Sequence, residues 1–224
     1  MTIKSNIKDL NEELPKAAKL IAVSKTQPIE KIQEAYDAGQ RLFGENKAQE
    51  MMAKHAALPQ DIEWHMIGHL QTNKVKYIAP FVALIHSVDS LKLLEEIDKQ
   101  GKKAGRIVPC LLQVYIAKEE TKFGFDAEEV ISLLQSGLSH LKNIEIKGLM
   151  GMATLTKNED IIGKEFQALK KLFDSLGLAN LPAQVTMKEL SMGMSADYKI
   201  AVQEGSTLVR IGTAIFGVRN YTTN

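Results

Sequence analysis

The segment Leu20-Ile21-Ala22-Val23-Ser24 is a short apolar run that leads directly into Lys25. A run of this length without polar alternation is typical of a parallel strand that is buried on both faces. An amphipathic stretch with helical spacing follows it, and the same pair recurs along the chain. We count eight apolar runs, at residues 20–24, 41–44, 63–68, 83–88, 107–116, 144–152, 189–192 and 208–211.

Helix signals lie between these runs. Asp126 precedes Glu129 by three residues, which resembles a capping box, and Pro28 stands where a helix can begin. One stretch has apolar residues spaced by three or four, which share a helix face: Ile162, Phe166, Leu169, Phe173 and Leu176. The stretch Ile3–Leu14 predicts an extra helix before the first strand.

The number of units decides the fold class. Eight strand–helix units in 224 residues predict an α/β fold, a single-domain (β/α)8 TIM barrel over residues 1–224. A doubly wound open sheet has the same local alternation, so only the count favours the barrel. No linker rich in proline, glycine or serine divides the chain.

Composition and charge argue against several function classes. The 28 lysine and arginine residues nearly balance the 27 aspartate and glutamate residues, and a net charge of +1 argues against nucleic acid or an acidic membrane as the main partner. No run approaches the roughly 20 apolar residues that span a bilayer, and the polar N-terminus does not resemble a signal peptide. A single cysteine, Cys110, cannot form an internal disulfide. We therefore expect a soluble cytoplasmic protein.

In a barrel, function lies where the strands end and the βα loops gather. Lys25 follows the first strand, and desolvation at a crowded barrel mouth would lower its pKa and favour the neutral amine that forms Schiff bases. Ser195 follows the seventh run and Gly212 the eighth, the recurrent phosphate site of these barrels. The alternatives are that Lys25 extends into solvent, that Ser195 caps a helix beginning near Ala196, and that Gly212 is only a turn residue.

A lysine after the first strand and an anion site after the last two suit a phosphorylated carbonyl compound. Pyridoxal 5′-phosphate fits this description, and so does a sugar phosphate in a Schiff-base aldolase. Seven segments stand in order between Leu20 and Gly217: AVSKTQ, FGENKAQE, WHMIGHLQTNK, HSVDS, GLMGMAT, SMGMSADY and GSTLVRIGTAIFG. Together they strongly resemble the YggS/PROSC family of pyridoxal-phosphate-binding homeostasis proteins.

The resemblance implies a barrel similar to the N-terminal domain of alanine racemase, with pyridoxal 5′-phosphate as its cofactor. Lys25 would carry the cofactor as a reversible Schiff base, and Arg210 would face the pyridine nitrogen. Ser195 would bind the phosphate together with the turn Gly212-Thr213. The implied cofactor-binding set is Lys25, Asn46, Ser195, Arg210, Gly212 and Thr213.

Arg210 bears on the choice between carrier and enzyme. A guanidinium only donates hydrogen bonds, so the pyridine nitrogen opposite it must accept and stay unprotonated, which makes the ring a weaker electron sink. The resemblance therefore implies a vitamin B6 homeostasis protein rather than an enzyme, a monomer that delivers the cofactor to apo-enzymes. A weak amino-acid racemase is the alternative, although alanine racemase takes its second acid/base from a C-terminal domain, and we expect no such domain after Gly217. A cofactor-free aldolase is a second alternative.

Other motifs favour structural roles. His65 and His69 are four residues apart, but they straddle a predicted strand end, so we expect no metal site there. His65 and Met192 could line the cofactor site or pack inside the barrel. The remaining methionines near the strand ends are expected to fill the core or the pocket: Met150, Met152 and Met194. The loop Thr121–Gly124 after the fifth run resembles a family loop, in which Lys122 could contact the cofactor or a partner.

Overall fold

The computed structural model describes residues 2–117, 123–135 and 138–217. Eight parallel strands alternate with helices. The strands are β1 (Lys19–Val23), β2 (Leu42–Glu45), β3 (Glu63–Met66), β4 (Leu84–Val88), β5 (Val108–Tyr115), β6 (Ile144–Met152), β7 (Val185–Met194) and β8 (Leu208–Ile211). The α-helices are α1 (Ile3–Glu13), α2 (Ile29–Asp37), α3 (Ala48–Ala57), α4 (Thr72–Ile78), α5 (Leu91–Ala104), α6 (Ala127–Gln135), α7 (Glu159–Gly177), α8 (Tyr198–Gln203) and α9 (Thr213–Phe216).

The sheet closes on itself. β1 pairs in parallel with β2 on one side and with β8 on the other, so the strand order is β1 through β8 in one ring. The predicted TIM barrel is confirmed, and the open sheet is excluded because an open sheet leaves its edge strands with one neighbour. The predicted N-terminal helix is confirmed as α1, which ends at Glu13 with Leu14 as its C-cap.

All eight predicted strands are present, with small differences at their ends. β7 begins at Val185, four residues before the predicted start at Glu189. The intervening residues Thr186 and Lys188 are polar and partly or fully exposed, so no apolar run marks this part of the strand. The helix predicted near Ala196 begins at Tyr198, with Asp197 in the N-cap position.

The helix-start signals also hold. The backbone N–H of Asp126 donates to the Glu129 carboxylate and the N–H of Glu129 donates to Asp126, each at 2.8 Å, which completes the capping box. Pro28 is the N-cap residue of α2. In the loop between β5 and α6, Thr121 and Lys122 lie outside the described residues. Within the described ranges, no helix is long and apolar enough to cross a bilayer.

The core has two parts. An inner cluster fills the barrel with Ile21, Leu84, Leu111, Met150 and Leu208. A larger cluster lies between the barrel and its helices and includes the fully buried rings of Phe43, Trp64 and Phe166. Because side chains alternate along a strand, the strand residues two positions after an inward one also point inward. This alternation sets which side chains reach the carboxyl end of the barrel.

Candidate functional site

A cavity of about 290 Å³ lies at the carboxyl ends of the strands. Its walls come from six strands or the loops that follow them. The lining residues are Val23, Lys25, Asn46, Ile67, Met152, Met194, Ser195, Ala196, Arg210, Gly212 and Thr213. All six residues predicted from the sequence for cofactor binding are among them. A wider groove of about 700 Å³ lies outside the barrel, between the start of α1 and α2, away from the strand ends.

The inward face of β1 leads to this cavity. Ile21 belongs to the inner cluster and Val23 lines the cavity, and the turn that follows β1 places Lys25 at the cavity wall. The Lys25 side chain is half-buried at the cavity wall. A strand shifted by one residue would turn the amine to the helix side of the barrel.

The turn that follows β1 is strained. The N–H of Gln27 donates to the Ser24 carbonyl at 3.0 Å, which closes a four-residue turn around Lys25 and Thr26. Thr26 has φ of +64°, a left-handed conformation that is unusual for a β-branched residue. Its N–H donates to the Glu50 carboxylate at 2.6 Å, which holds the strained residue in place.

A buried ionic cluster supports this turn from the helix side. The Lys54 ammonium donates to Glu45 at 2.8 Å, to Glu50 at 2.6 Å and to the Ser24 carbonyl at 2.8 Å. The Ser24 hydroxyl also donates to Glu45, at 2.6 Å. Burial raises the pKa of the Glu45 carboxyl, and the nearby Lys54 charge opposes that shift. This cluster was not predicted from the sequence, although Glu45, a carboxylate at the end of a buried strand, is its signal.

Asn46 reaches the cavity from the end of β2 because the backbone of Gly68 packs closely against it. A Cβ at Gly68 would lie 2.6 Å from the Asn46 carbonyl oxygen and 2.7 Å from its Cα. Only glycine allows this approach, so Gly68 positions Asn46.

Donor groups gather at the loops after β7 and β8. The Gly212 N–H donates to the Ser195 hydroxyl at 3.3 Å, which leaves the hydroxyl proton available to an acceptor in the cavity. Thr213 is the first residue of α9, and the first N–H groups of a helix have no partner within the helix. Such hydroxyl and N–H donors can hold an anion. Ser195 is therefore not the helix cap that the sequence allowed, because Asp197 occupies the cap position.

The loop that carries Ser195 is fixed on both sides. The Asp197 carboxylate accepts from the Met194 N–H at 2.5 Å, and the Asp197 N–H donates back to the Met194 carbonyl at 3.1 Å. Gly193 has φ of +90°, and a Cβ there would lie 2.5 Å from the Ala201 Cβ. Gly193 is therefore required for β7 to pass this close to α8.

Arg210 forms the floor of the cavity. Its Nη1 donates to the Ser191 hydroxyl at 2.5 Å and its Nη2 to the Gly151 carbonyl at 3.1 Å. Burial lowers the pKa of Arg210 to about 10, and Asp197 partly opposes this shift. The guanidinium therefore stays charged at neutral pH, with its remaining N–H groups available to an acceptor.

The methionines and histidines for which the sequence allows either a lining or a packing role have different positions in the structure. Met152 and Met194 line the cavity, with 42% and 37% of their surfaces exposed, whereas Met192 is fully buried in the core. His65 lies inside the barrel against His86, while His69 is exposed and contacts Asp89 at 3.0 Å. The two histidines of the i, i+4 pair therefore have separate surroundings.

Comparison with known proteins bears on the family. The family model for the alanine racemase N-terminal domain matches residues 1–220. The pyridoxal phosphate homeostasis protein of Aquifex aeolicus is 42% identical over 205 residues, which are 91% of this chain and 88% of that protein. Its counterpart in Pasteurella multocida is 36% identical over 99% of both chains. The chain belongs to the pyridoxal phosphate homeostasis protein family.

Solved structures agree with this membership. PipY of Synechococcus elongatus, solved with pyridoxal phosphate bound, is 38% identical to the present protein and superposes with a TM-score of 0.86. The match covers 96% of the present chain and 100% of the PipY chain. The structure of PipY without the cofactor gives a TM-score of 0.90 at 39% identity. Alanine racemase from Bartonella henselae matches 99% of this chain with 60% of its own, at 19% identity and a TM-score of 0.73. This last likeness shows the fold alone.

Proposed function

We propose that this chain binds pyridoxal 5′-phosphate in the cavity at the carboxyl end of the barrel and takes part in pyridoxal phosphate homeostasis. One observation carries the proposal: the Lys25 amine, the Arg210 guanidinium and the donors around Ser195 line the same cavity. The relatives named for this function, and the PipY structure that holds the cofactor, support it.

The donor set suits each end of the cofactor. When bound, pyridoxal phosphate supplies an aldehyde that a neutral lysine amine captures reversibly as a Schiff base. Lys25 provides that amine from a turn that the Lys54 cluster holds in place. The Ser195 hydroxyl and the Thr213 N–H would donate to the phosphate, and the Gly212 N–H, which donates to the Ser195 oxygen, would hold that hydroxyl in place.

Arg210 favours binding of the cofactor over catalysis with it. Because the buried guanidinium only donates, it keeps the ring nitrogen facing it as an acceptor, which weakens the ring as an electron sink. Among the described residues that line the cavity, the ionisable side chains are Lys25 and Arg210. A racemase needs a second acid/base group besides the lysine, so a carrier fits this wall better than an enzyme does.

We further infer a cytoplasmic monomer that passes its cofactor to apo-enzymes. The closed ring of strands has no free edge through which two copies could pair. Cys110 is buried, and burial raises the pKa of its thiol, so it suits a structural position rather than a disulfide. Light scattering coupled to gel filtration tests the monomer, because a stable dimer would be twice the expected mass.

Borohydride trapping tests the covalent part of the proposal. Wild-type protein mixed with pyridoxal phosphate should turn yellow, lose the colour on reduction, and carry the label on the peptide that contains Lys25. Lys25→Ala should abolish the label while the phosphate donors keep some noncovalent binding. Lys47→Ala, an exposed lysine in the next βα loop, is the matched control and should label normally. A reducible adduct that persists in Lys25→Ala would contradict the assignment.

The racemase alternative has its own test. Protein loaded with pyridoxal phosphate is incubated with L-alanine in deuterated buffer, and the α-proton signal is followed by NMR. The carrier proposal expects the signal to persist, because no second acid/base lines the described cavity wall. Loss of the signal at a rate well above the protein-free control would favour the racemase.

A further inference from the structure

A chain of buried polar side chains runs through the barrel interior behind Arg210. Arg210 Nη1 lies 2.5 Å from the Ser191 hydroxyl, which lies 2.9 Å from His86 Nδ1. His86 Nε2 in turn lies 2.9 Å from His65 Nδ1. Ser191 is on β7 and His86 on β4, strands that are not neighbours, so the chain crosses the barrel. All four side chains are buried.

The chemistry of the four groups determines the donor-to-acceptor direction of these hydrogen bonds. Arg210 can only donate, so the Ser191 oxygen accepts from it. If the Ser191 O–H then donates to His86 Nδ1, His86 carries its proton on Nε2 and donates to His65 Nδ1. His65 must then carry its own proton on Nε2.

If the hydrogen bonds ran in the opposite direction, fewer of these polar groups would have a hydrogen-bond partner. Ser191 would accept from both Arg210 and His86, and its own O–H would have no acceptor among the described residues. The direction away from Arg210 leaves one group without a partner there, the Nε2 of His65. Buried polar groups are costly to leave unpaired, and aligned hydrogen bonds polarise one another, so both effects favour the direction away from Arg210.

Both imidazoles remain neutral in this position. Burial lowers the pKa of His65 to about 3, with a smaller effect from Lys19. Burial also lowers the pKa of His86 well below its usual value, and the neighbouring His65 and Arg210 act in the same direction. Because Ser191, His86 and His65 are all neutral, they accept the hydrogen bond of the guanidinium without placing a second positive charge near it.

We propose that Ser191, His86 and His65 are positioning residues for Arg210: their directed hydrogen bonds hold its guanidinium as a donor toward the ring nitrogen of the cofactor. The inference rests on the proposed function, since the ring nitrogen enters only with pyridoxal phosphate. The Gly151 carbonyl holds the second guanidinium nitrogen at 3.1 Å, so the side chain is fixed at two points. Losing the Ser191 point would let the guanidinium rotate away from the ring.

The direction of the hydrogen bonds from Arg210 to His65 can be tested without any cofactor. In wild-type protein labelled with ¹⁵N-histidine, long-range ¹H–¹⁵N correlation spectra distinguish the two neutral tautomers and the imidazolium. We expect His65 and His86 to be neutral and protonated on Nε2 at neutral pH. A proton on Nδ1 of either ring, or an imidazolium, would overturn the proposed direction.

The positioning role needs a measurement that a merely structural role would not change. Pyridoxal phosphate labelled with ¹⁵N in its ring is bound to wild-type protein, to Ser191→Ala and to Ser206→Ala. Ser206 is a matched control, a buried serine that bonds strand carbonyls and lies outside the cavity. We expect Ser191→Ala to bind about tenfold more weakly and to move the ring ¹⁵N shift toward that of an unpaired pyridine, a tenfold loss being typical of one hydrogen bond.

The outcomes separate this inference from the proposed function. If wild-type protein binds no pyridoxal phosphate, the proposed function fails and the inference fails with it. If wild-type protein binds and Ser191→Ala matches it in both affinity and ring ¹⁵N shift, the inference alone is overturned. If Ser206→Ala shows the same changes as Ser191→Ala, general loosening of the barrel explains them and the positioning role is overturned.

Discussion

At the scale of single residues, the site depends on where each backbone position points. Arg210 reaches the cavity because it is the next inward residue of β8 after Leu208, and Lys25 reaches it from the turn that follows Val23. Neither side chain has chemistry that is special in isolation. The strand alternation and the closed ring bring an amine and a guanidinium to one cavity.

Gly68→Ala tests how closely the backbone is packed at the site. The new Cβ would fall within 2.8 Å of three Asn46 atoms, so the end of β2 must move. We expect a loss of about 1–3 kcal/mol in the free energy of unfolding, the usual range for overpacking, together with weaker binding of pyridoxal phosphate. Urea denaturation and a binding titration measure the two effects.

Gly163→Ala is the control for this substitution. Gly163 lies within α7, and a Cβ there would meet only the Ile200 methyl, at 3.8 Å. Alanine is the better helix former, so we expect about 0.5–1 kcal/mol of stabilisation and unchanged binding. Equal effects of the two substitutions would show that Gly68 does not hold Asn46 in place.

At the scale of elements, the β1–α2 turn and the start of α3 act as one unit through Lys54. Its ammonium, with 7% of the side chain exposed, joins Glu45, Glu50 and the Ser24 carbonyl. Glu50 holds the left-handed Thr26, which directly follows Lys25. The position of the amine therefore depends on a cluster that does not line the cavity.

Lys54→Met should destabilise the protein strongly. Removing one partner of a buried ion pair leaves the Glu45 carboxylate uncompensated, which typically costs about 3–5 kcal/mol in the free energy of unfolding. Adding Glu45→Gln should recover part of the loss. Lys8→Met, which removes an exposed partner of Glu12, should change stability by less than about 1 kcal/mol. Comparable losses from Lys54→Met and Lys8→Met in urea denaturation would contradict the structural role of the cluster.

The sequence predicts the elements well and the side-chain clusters poorly. The apolar runs locate all eight strands because burial on both faces leaves a local pattern. The predicted cofactor residues come together because each lies within a strand end or in the loop that directly follows one. The contact between His86 and Ser191 was not predictable in this way, since it depends on which strands face each other across a closed ring. Register and closure are properties of the assembled barrel.

At the scale of the whole molecule, the two buried histidines make stability depend on pH. The unfolded chain takes up protons on histidine below about pH 6.5, whereas the pKa of His65 is about 3 and that of His86 is also well lowered in the folded protein. The unfolded state therefore binds more protons as the pH falls, and stability decreases from pH 6.5 downward. Each histidine contributes up to about 1.4 kcal/mol per pH unit.

Urea denaturation between pH 7.5 and 5 measures this slope. We expect His65→Gln to reduce the slope relative to wild type, because one titrating group is lost. His140→Gln, at an exposed position, should leave the slope unchanged. A wild-type stability that stays flat or rises as the pH falls to 5 would contradict the burial of two neutral imidazoles.

We propose that the cavity lined by Lys25, Arg210 and Ser195 holds both ends of a single cofactor. A crystal structure of the wild-type protein grown with pyridoxal phosphate tests this arrangement. We expect continuous density from Lys25 Nζ to the cofactor, Arg210 within hydrogen-bond distance of the ring nitrogen, and the phosphate against Ser195, Gly212 and Thr213. Density on another lysine, or a phosphate turned toward Asn46, would contradict the claim.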